Sequence, residues 1–334
     1  MIVRTTDYHT AGEPFRIVSD DTPGSEGTTV LDRRQWFQQH DEVRRMLCNE
    51  PRGHADMYGC FVVPPDDDGA VLGCVFWHKD GYSTACGHGT IAIATWAVHE
   101  RLVVVDPDGA TEFAIDVPSG RLPVRVRCKD GVVRSVAFRN VPSYVTARAL
   151  EVETTAGTVL ADVAYGGAFY ASVRAADLDL AVTPDDLPRV VAMGREVKWA
   201  LDEHPAAQHG DDPRLSGVYG SIWWEDLGRL LDPPVLHQRN VTVFADGEVD
   251  RSPCGSGTSA RLALLHEEGA VDLATTLQHD SIVGSSFVGR VLAEVVEGDR
   301  KAVVTEVEGS AFRTGRHEFV LDPEDPLGDG FQLR

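Results

Sequence analysis

Two short stretches place a thiol where it can do chemistry: GYSTACGHGTIAIA, residues 81 to 94, and DRSPCGSGTSARLA, residues 250 to 263. Each contains Cys-Gly-x-Gly-Thr and runs straight into an apolar segment, so Cys86 and Cys254 each stand at the mouth of a predicted helix. Glycines there let the backbone turn tightly and come close to a ligand. The first amides of a helix have no partners within it, and their partial positive charge suits a carboxylate or a phosphate. The same field can hold a thiol below its free pKa of roughly 8.5. Neither stretch has the Gly-Lys-Ser/Thr ending of a phosphate-binding P-loop.

One such stretch offers a nucleophile beside an anion cradle, and two facing ones offer something more specific. A carboxylate held by both helix ends would have its α-carbon between two sulfurs. One thiolate then removes the α-proton, and the opposite thiol delivers a proton to the other face. Negative charge developing in the carboxylate meets helix amides already in place. This is racemase or epimerase chemistry, needing neither metal nor pyridoxal phosphate.

The elements that must carry these thiols are legible in outline. YGCFVVP (58 to 64), AVLGCVFWH (70 to 78), LPVRVRCKDGVVRSVAFRNV (122 to 141) and RKAVVTEVEG (300 to 309) read as strands, with KDG at 129 to 131 a hairpin turn. Helical patterns run through DRRQWFQQHDEVRRMLCN, GTIAIATWAVHERLV, PDDLPRVVAMGREVKWALDEH and GTSARLALLHEEGA. Cys86 and Cys254 lie about half the 334-residue chain apart, each after a β-rich region and before a helix. That spacing predicts two similar α+β halves, each contributing one thiol to a site between them.

Bulk properties bound the partners. A formal net charge of −21 disfavours nucleic acid and anionic membrane surfaces. No run approaches the roughly 20 apolar residues of a membrane helix, and MIVRTTDYHTAGEP lacks the apolar core of a signal peptide, so cytoplasm is the expected location. The six cysteines are too sparse for a disulfide scaffold and show no zinc spacing. Cys48, Cys60, Cys74 and Cys128 read as small core hydrophobes.

Taken together, these residues resemble the proline racemase family, which shares a fold with diaminopimelate epimerase. The resemblance covers nearly the whole chain: DYHTAGEPFRIV (7 to 18), NEPRGHADMYG (49 to 59), ACGHGTIA (85 to 92), YGGAFY (165 to 170), VDRSPCGSGTSARLA (249 to 263) and SIVGSSFVG (281 to 289), in order. It implies an α+β fold of two pseudo-symmetric halves, each a curved, mostly antiparallel sheet around a central helix. The expected boundaries are 1–120 with about 315–334 for the half carrying Cys86, and 121–314 for the half carrying Cys254. It also implies a homodimer and a cofactor-free, metal-free site for a small imino acid, proline or a hydroxyproline.

Carried over by matching positions, Cys86 and Cys254 are the two acid/base thiols. Gly87 with His88, and Gly255 with Ser256, hold the substrate carboxylate through backbone amides. Asp250 and His88 lie near the ring nitrogen. Arg52, His54 and Asp56 support the first thiol, whereas His9 and Glu13 shape a turn. Within the family, the trans-3-hydroxy-L-proline dehydratases typically keep the first cysteine and carry threonine at the second position. Cys254 therefore implies inversion of the α-carbon. DYHTAGEPFRIV with EPRGHADMYG and GYST is more similar to the dehydratase branch, which implies pyrroline-2-carboxylate as product. Ala85 replaces the methionine of many relatives, which implies a wider pocket beside the first thiol. A third alternative is a member that binds an amino or imino acid without turning it over.

Overall fold

The computed structural model describes residues 1–22 and 24–333. In chain order the first elements are β1 (Ile2–Thr10), β2 (Glu13–Val18), α1 (Val30–Gln39), α2 (Glu42–Cys48), β3 (Tyr58–Val63), β4 (Leu72–His78), β5 (Gly81–Tyr82), α3 (Gly87–His99), β6 (Ala110–Val117) and β7 (Gly120–Lys129). Then β8 (Val132–Arg139) leads to β9 (Tyr144–Thr154), β10 (Gly157–Tyr165), β11 (Phe169–Arg174), α4 (Leu187–Leu201), β12 (Val218–Leu231), β13 (Pro234–Phe244) and β14 (Glu248–Asp250). The chain finishes with α5 (Gly255–Glu267), β15 (Thr276–Ser281), β16 (Ser286–Glu297), β17 (Arg300–Gly309) and β18 (Ala311–Val320).

Two compact units result: Met1–Val136 with Ser310–Arg334, and Ala137–Gly309. The first boundary falls downstream of residue 120 because β7 stays paired with β6, from Val117↔Gly120 to Ala110↔Arg127. The second falls before residue 315 because all of β18 pairs with β1, from Thr10↔Ala311 to Ile2↔Val320.

Strand pairing repeats between the units. In the first, the sheet runs β18, β1, β2, β3, β4, β6, β7, antiparallel except for β2–β3 and β4–β6. In the second, it runs β9, β10, β11, β12, β13, β15, β16, β17, antiparallel except for β11–β12 and β13–β15. The parallel steps occupy matching places, and a short strand before each thiol pairs back onto its neighbour, β5 on β4 and β14 on β13. The pseudo-symmetric α+β fold expected from the sequence is what the chain adopts.

Each unit wraps its sheet around one helix. Residues Gly87–Ala97 of α3 and Gly255–Leu265 of α5 are buried on every side, the signature of a core helix. Helix α3 packs on β1, β2, β7 and β18, and α5 on β9, β10, β11, β16 and β17. On the outer face, Phe37 of α1 and Met46 and Leu47 of α2 cover Phe61 and Trp77, while Val190, Met193 and Val197 of α4 cover Trp223, Val241 and Val243. The single helix expected over 32 to 49 is two, because the chain breaks at His40 and Asp41 and Asp41 restarts it as the N-cap of α2. The turn predicted at 129 to 131 has Asp130 at φ 54° and Gly131 at φ 70°, the left-handed pair such a turn needs.

Candidate active site

In the first unit the thiol is itself the helix cap. Cys86 has extended backbone (φ −156°, ψ 102°), and its Sγ accepts the Gly89 N–H at 3.2 Å. Position 89 must be glycine: a Cβ there would lie 2.8 Å from the sulfur and 2.5 Å from the Phe15 ring. His88 touches the same sulfur, with Nδ1 at 3.4 Å and Nε2 at 3.6 Å. Its ring stands edge-on to Tyr58 (4.8 Å between centroids) and Phe15 (5.7 Å), and burial pushes its pKa down to about 3. His88 is therefore neutral at physiological pH. Thr10 Oγ donates to the His88 carbonyl at 2.9 Å and Thr90 Oγ to the Cys86 carbonyl at 2.8 Å, fixing the first turn of α3 from both sides.

The second unit repeats this plan with different neighbours. Cys254 is the N-cap of α5 but has φ +62°, a left-handed conformation uncommon for a residue with a side chain. Its backbone N–H donates to Ser252 Oγ at 3.1 Å, and its Sγ donates to the Tyr170 hydroxyl at 3.6 Å. Gly257 again makes room, since a Cβ there would lie 2.8 Å from the sulfur. Asp250, buried at the end of β14, accepts the Ser252 N–H at 2.8 Å, and burial raises its carboxyl above the usual carboxylate range. Burial, reinforced by the Asp250 charge, pushes the Cys254 thiol well up. A helix mouth by itself would lower it; here desolvation and the carboxylate outweigh the helix field.

A polar network locks the strained loop before Cys254. The Pro253 carbonyl accepts from Asn240 Nδ2 at 3.0 Å and from Thr258 Oγ at 3.2 Å. His279 joins these two donors, with Nδ1 2.8 Å from Thr258 Oγ and Nε2 2.8 Å from Asn240 Nδ2. Thr258 spends its only hydrogen on Pro253, so it accepts from Nδ1–H, and Nε2 accepts from the asparagine. Burial pushes the His279 pKa down to about 3, in keeping with that neutral tautomer.

Among the residues predicted from sequence, Cys86, Gly87 and His88 meet in the first unit, and Asp250, Cys254, Gly255 and Ser256 in the second. The Ser256 side chain is engaged by the Tyr170 hydroxyl at 2.6 Å. Arg52 holds the C-terminal segment instead of the thiol: it donates to the Val320 and Gly328 carbonyls and pairs with Asp325 at 3.3 Å. Its own carbonyl, with that of Leu47, is gripped by Arg16, whose guanidinium also pairs with buried Asp7 at 2.9 Å. His9 accepts the Gly12 N–H at 3.2 Å, the turn role expected of it. Cys48, Cys60, Cys74 and Cys128 are buried. Among the described residues, no cluster of three or more His, Cys, Asp or Glu is arranged to hold a metal, and no helix is long and apolar enough to cross a membrane.

Tyr170, Asn240 and His279 escaped the sequence reading. YGGAFY was visible as a block, yet no spacing ties Tyr170 to a thiol 84 residues later. Only the sheet around α5 does so.

Comparison with known proteins gives this geometry a context. Residues 5–332 match the family model for proline racemase. A 3-hydroxyproline 2-epimerase of Burkholderia multivorans is 43% identical over 336 residues, covering 99% of this chain and 98% of that protein. A trans-3-hydroxy-L-proline dehydratase of Azospirillum brasilense is 43% identical with the same coverage. A solved hydroxyproline epimerase from Agrobacterium vitis, with trans-4-hydroxy-L-proline bound, is 30% identical with a TM-score of 0.92, covering 99% of this chain and 96% of that one. A PhzF family protein from Bacillus anthracis, 11% identical with a TM-score of 0.59 over 96% of this chain and 99% of that one, shares the fold alone.

Proposed function

Because this chain belongs to the proline racemase family, we propose that it is a cofactor-independent epimerase inverting the α-carbon of a 3-hydroxyproline, with Cys86 and Cys254 as the acid/base pair. One observation carries the reading: both helix mouths bear a thiol, and the second is a cysteine where dehydratases of the family typically have threonine. Inversion needs a proton carrier for each face of the carbon, whereas loss of the 3-hydroxyl does not.

The resting roles follow from the surroundings of each sulfur. Cys86 receives the Gly89 N–H, which favours its thiolate, so it is the base that removes the α-proton. Cys254 is kept protonated by burial and Asp250, so it is the acid that delivers a proton to the opposite face. The amides of Gly89 and Gly257 serve the sulfurs, which leaves those of Gly87, His88, Gly255 and Ser256 for the carboxylate as charge builds there. Asp250 and neutral His88 serve as acceptors for the ring ammonium. The protein acts as a homodimer in the cytoplasm, with no nucleic-acid or membrane partner.

A second reading is favoured by the 43% identity to the Azospirillum brasilense dehydratase. In it Cys86 removes the α-proton, the C3–O bond breaks with release of water, and pyrroline-2-carboxylate forms. Incubation with trans-3-hydroxy-L-proline in heavy water separates the two. Epimerisation gives the 2-epimer carrying deuterium at the α-carbon; elimination gives a cyclic imine that borohydride reduces to proline. A 2-epimer with an unlabelled α-carbon would sink the epimerase reading, and recovery of the substrate with neither epimer nor imine formed would sink both.

A further inference from the structure

The epimerase reading leaves one group at the second thiol without a task. Building on that reading, we propose that Tyr170 is a catalytic residue whose hydroxyl bonds Cys254 in both of its protonation states, reversing direction between them with Ser256 as its counterweight.

The geometry is a three-membered chain: Cys254 Sγ is 3.6 Å from the Tyr170 hydroxyl, which is 2.6 Å from Ser256 Oγ. All three residues are buried, so water does not compete for these groups. The tyrosine ring is held in place, edge-on to Tyr219 at 5.5 Å, and Tyr219 in turn stacks on Phe244 at 5.5 Å.

A phenol has one hydrogen to give and room to accept another. At rest the Cys254 S–H donates to the Tyr170 oxygen, and the Tyr170 O–H points to Ser256. Once Cys254 has given its proton to the α-carbon, the sulfur is an anion with nothing left to donate and a need for donors. The Tyr170 O–H then swings to the sulfur, and the Ser256 hydroxyl turns to donate to the vacated tyrosine oxygen. Only the S–H bond breaks and only the Cα–H bond forms; the two hydroxyls keep their hydrogens and merely rotate. The reverse reaction runs the same rotation backwards. The Tyr170 hydroxyl lowers the cost of the Cys254 thiolate, against the burial and the Asp250 charge that raise it.

The sulfur of Cys86 has different neighbours. There the residue two places after the thiol is His88, which touches the sulfur directly, and the Tyr58 hydroxyl is 2.6 Å from Ser83 on the upstream side. The consequence of removing the Tyr170 hydroxyl therefore falls on one face of the reaction.

Tyr170→Phe tests this while keeping the ring. Without substrate, iodoacetamide labelling of each thiol across pH, read by peptide mass spectrometry, should show the Cys254 midpoint rising by about one unit and the Cys86 profile unmoved. With a 3-hydroxyproline in heavy water, kcat for inversion should fall about 10- to 100-fold with KM within about threefold. Exchange of the α-hydrogen without inversion should persist through Cys86, so the ratio of exchange to inversion rises at least about tenfold. Ser256→Ala should move the same readings in the same direction by less. An unshifted Cys254 labelling profile, or inversion and exchange falling together, overturns the proposal. Failure of the wild type to invert any 3-hydroxyproline defeats the epimerase reading alone, because labelling still decides the role of Tyr170.

Discussion

Cys86 and Cys254 occupy matching places in two copies of one fold, yet their settings are opposite in character. The first sulfur caps its helix from an extended backbone, receives an amide hydrogen, and faces a neutral imidazole between aromatic rings. The second sits on a left-handed backbone, gives its hydrogen to a phenol, and lies beside a buried carboxylate. Symmetry of the fold thus delivers two thiols to equivalent stations, and under the proposed epimerase reading the asymmetry of their neighbours is what would sort them into base and acid. A two-base enzyme needs both: equal reach and unequal protonation.

The sharpest way to break this comparison is to delete each sulfur in turn. Cys86→Ala should reduce both α-hydrogen exchange and inversion by about 10³- to 10⁴-fold. Cys254→Ala should cost inversion as much while exchange survives. Equal loss of exchange in both variants, measured by mass spectrometry in heavy water, would show that the thiols are not sorted in this way.

A smaller effect distinguishes the two glycines that make room for sulfur. Gly89→Ala places a Cβ against both the sulfur and a core phenylalanine ring, while Gly257→Ala meets the sulfur at 2.8 Å and the Ile222 methyl at 3.0 Å. Each should destabilise by about 1–3 kcal/mol, less the helix propensity gained, with Gly89→Ala the costlier because Phe15 cannot swing aside. Urea midpoints that fall equally, or rise, would count against this account of the clash.

The smallest effects come with pH. His88 and His279 have folded pKa values of about 3, below the ordinary value of 6.5. Below pH 6.5 the unfolded chain takes up protons that the folded one refuses, so stability is full above that point and falls as pH drops towards 3. The slope is at most about 1.4 kcal/mol per pH unit for each histidine. His88→Gln and His279→Gln should each remove one share of that slope in urea titrations, and of the two His88 is the one that touches the Cys86 sulfur. Cys254, raised by burial, acts at the other end: its contribution is full below the usual thiol range and is lost as pH rises through it. Alkaline stability should therefore decline with a slope that Cys254→Ala reduces.

Much of this was legible in the chain. The doubled Cys-Gly-x-Gly-Thr located both thiols because the chemistry is local: a cap, a glycine and a helix start are consecutive residues. The strands of RKAVVTEVEG and YGCFVVP, and the core helices, were equally local. What escaped was whatever sheet register brings together. Asn240 reaches the loop before Cys254 from β13, and His279 from β15, because Asn240↔Ser281 and Arg239↔Asp280 align those strands. Arg52 sat in a recognisable block, but its partners Val320, Gly328 and Asp325 lie at the far end of the chain. No sequence spacing announces such a contact.

The pairing of β18 with β1 also dictates an order of events during synthesis. The second unit is one continuous segment, Ala137–Gly309, and has all its strands once that segment has left the ribosome. The first unit lacks an edge strand until Ala311–Val320 arrives to zip along Ile2–Thr10. Its β1 strand must wait, with one backbone edge unpaired, while the entire second unit is made. Closing so distant a pair is slow, and an unpaired strand edge invites pairing with another chain. Termination just after Gly309 would yield a chain whose later half is complete and whose earlier half cannot close. The thiol made first, Cys86, thus belongs to the half that matures last.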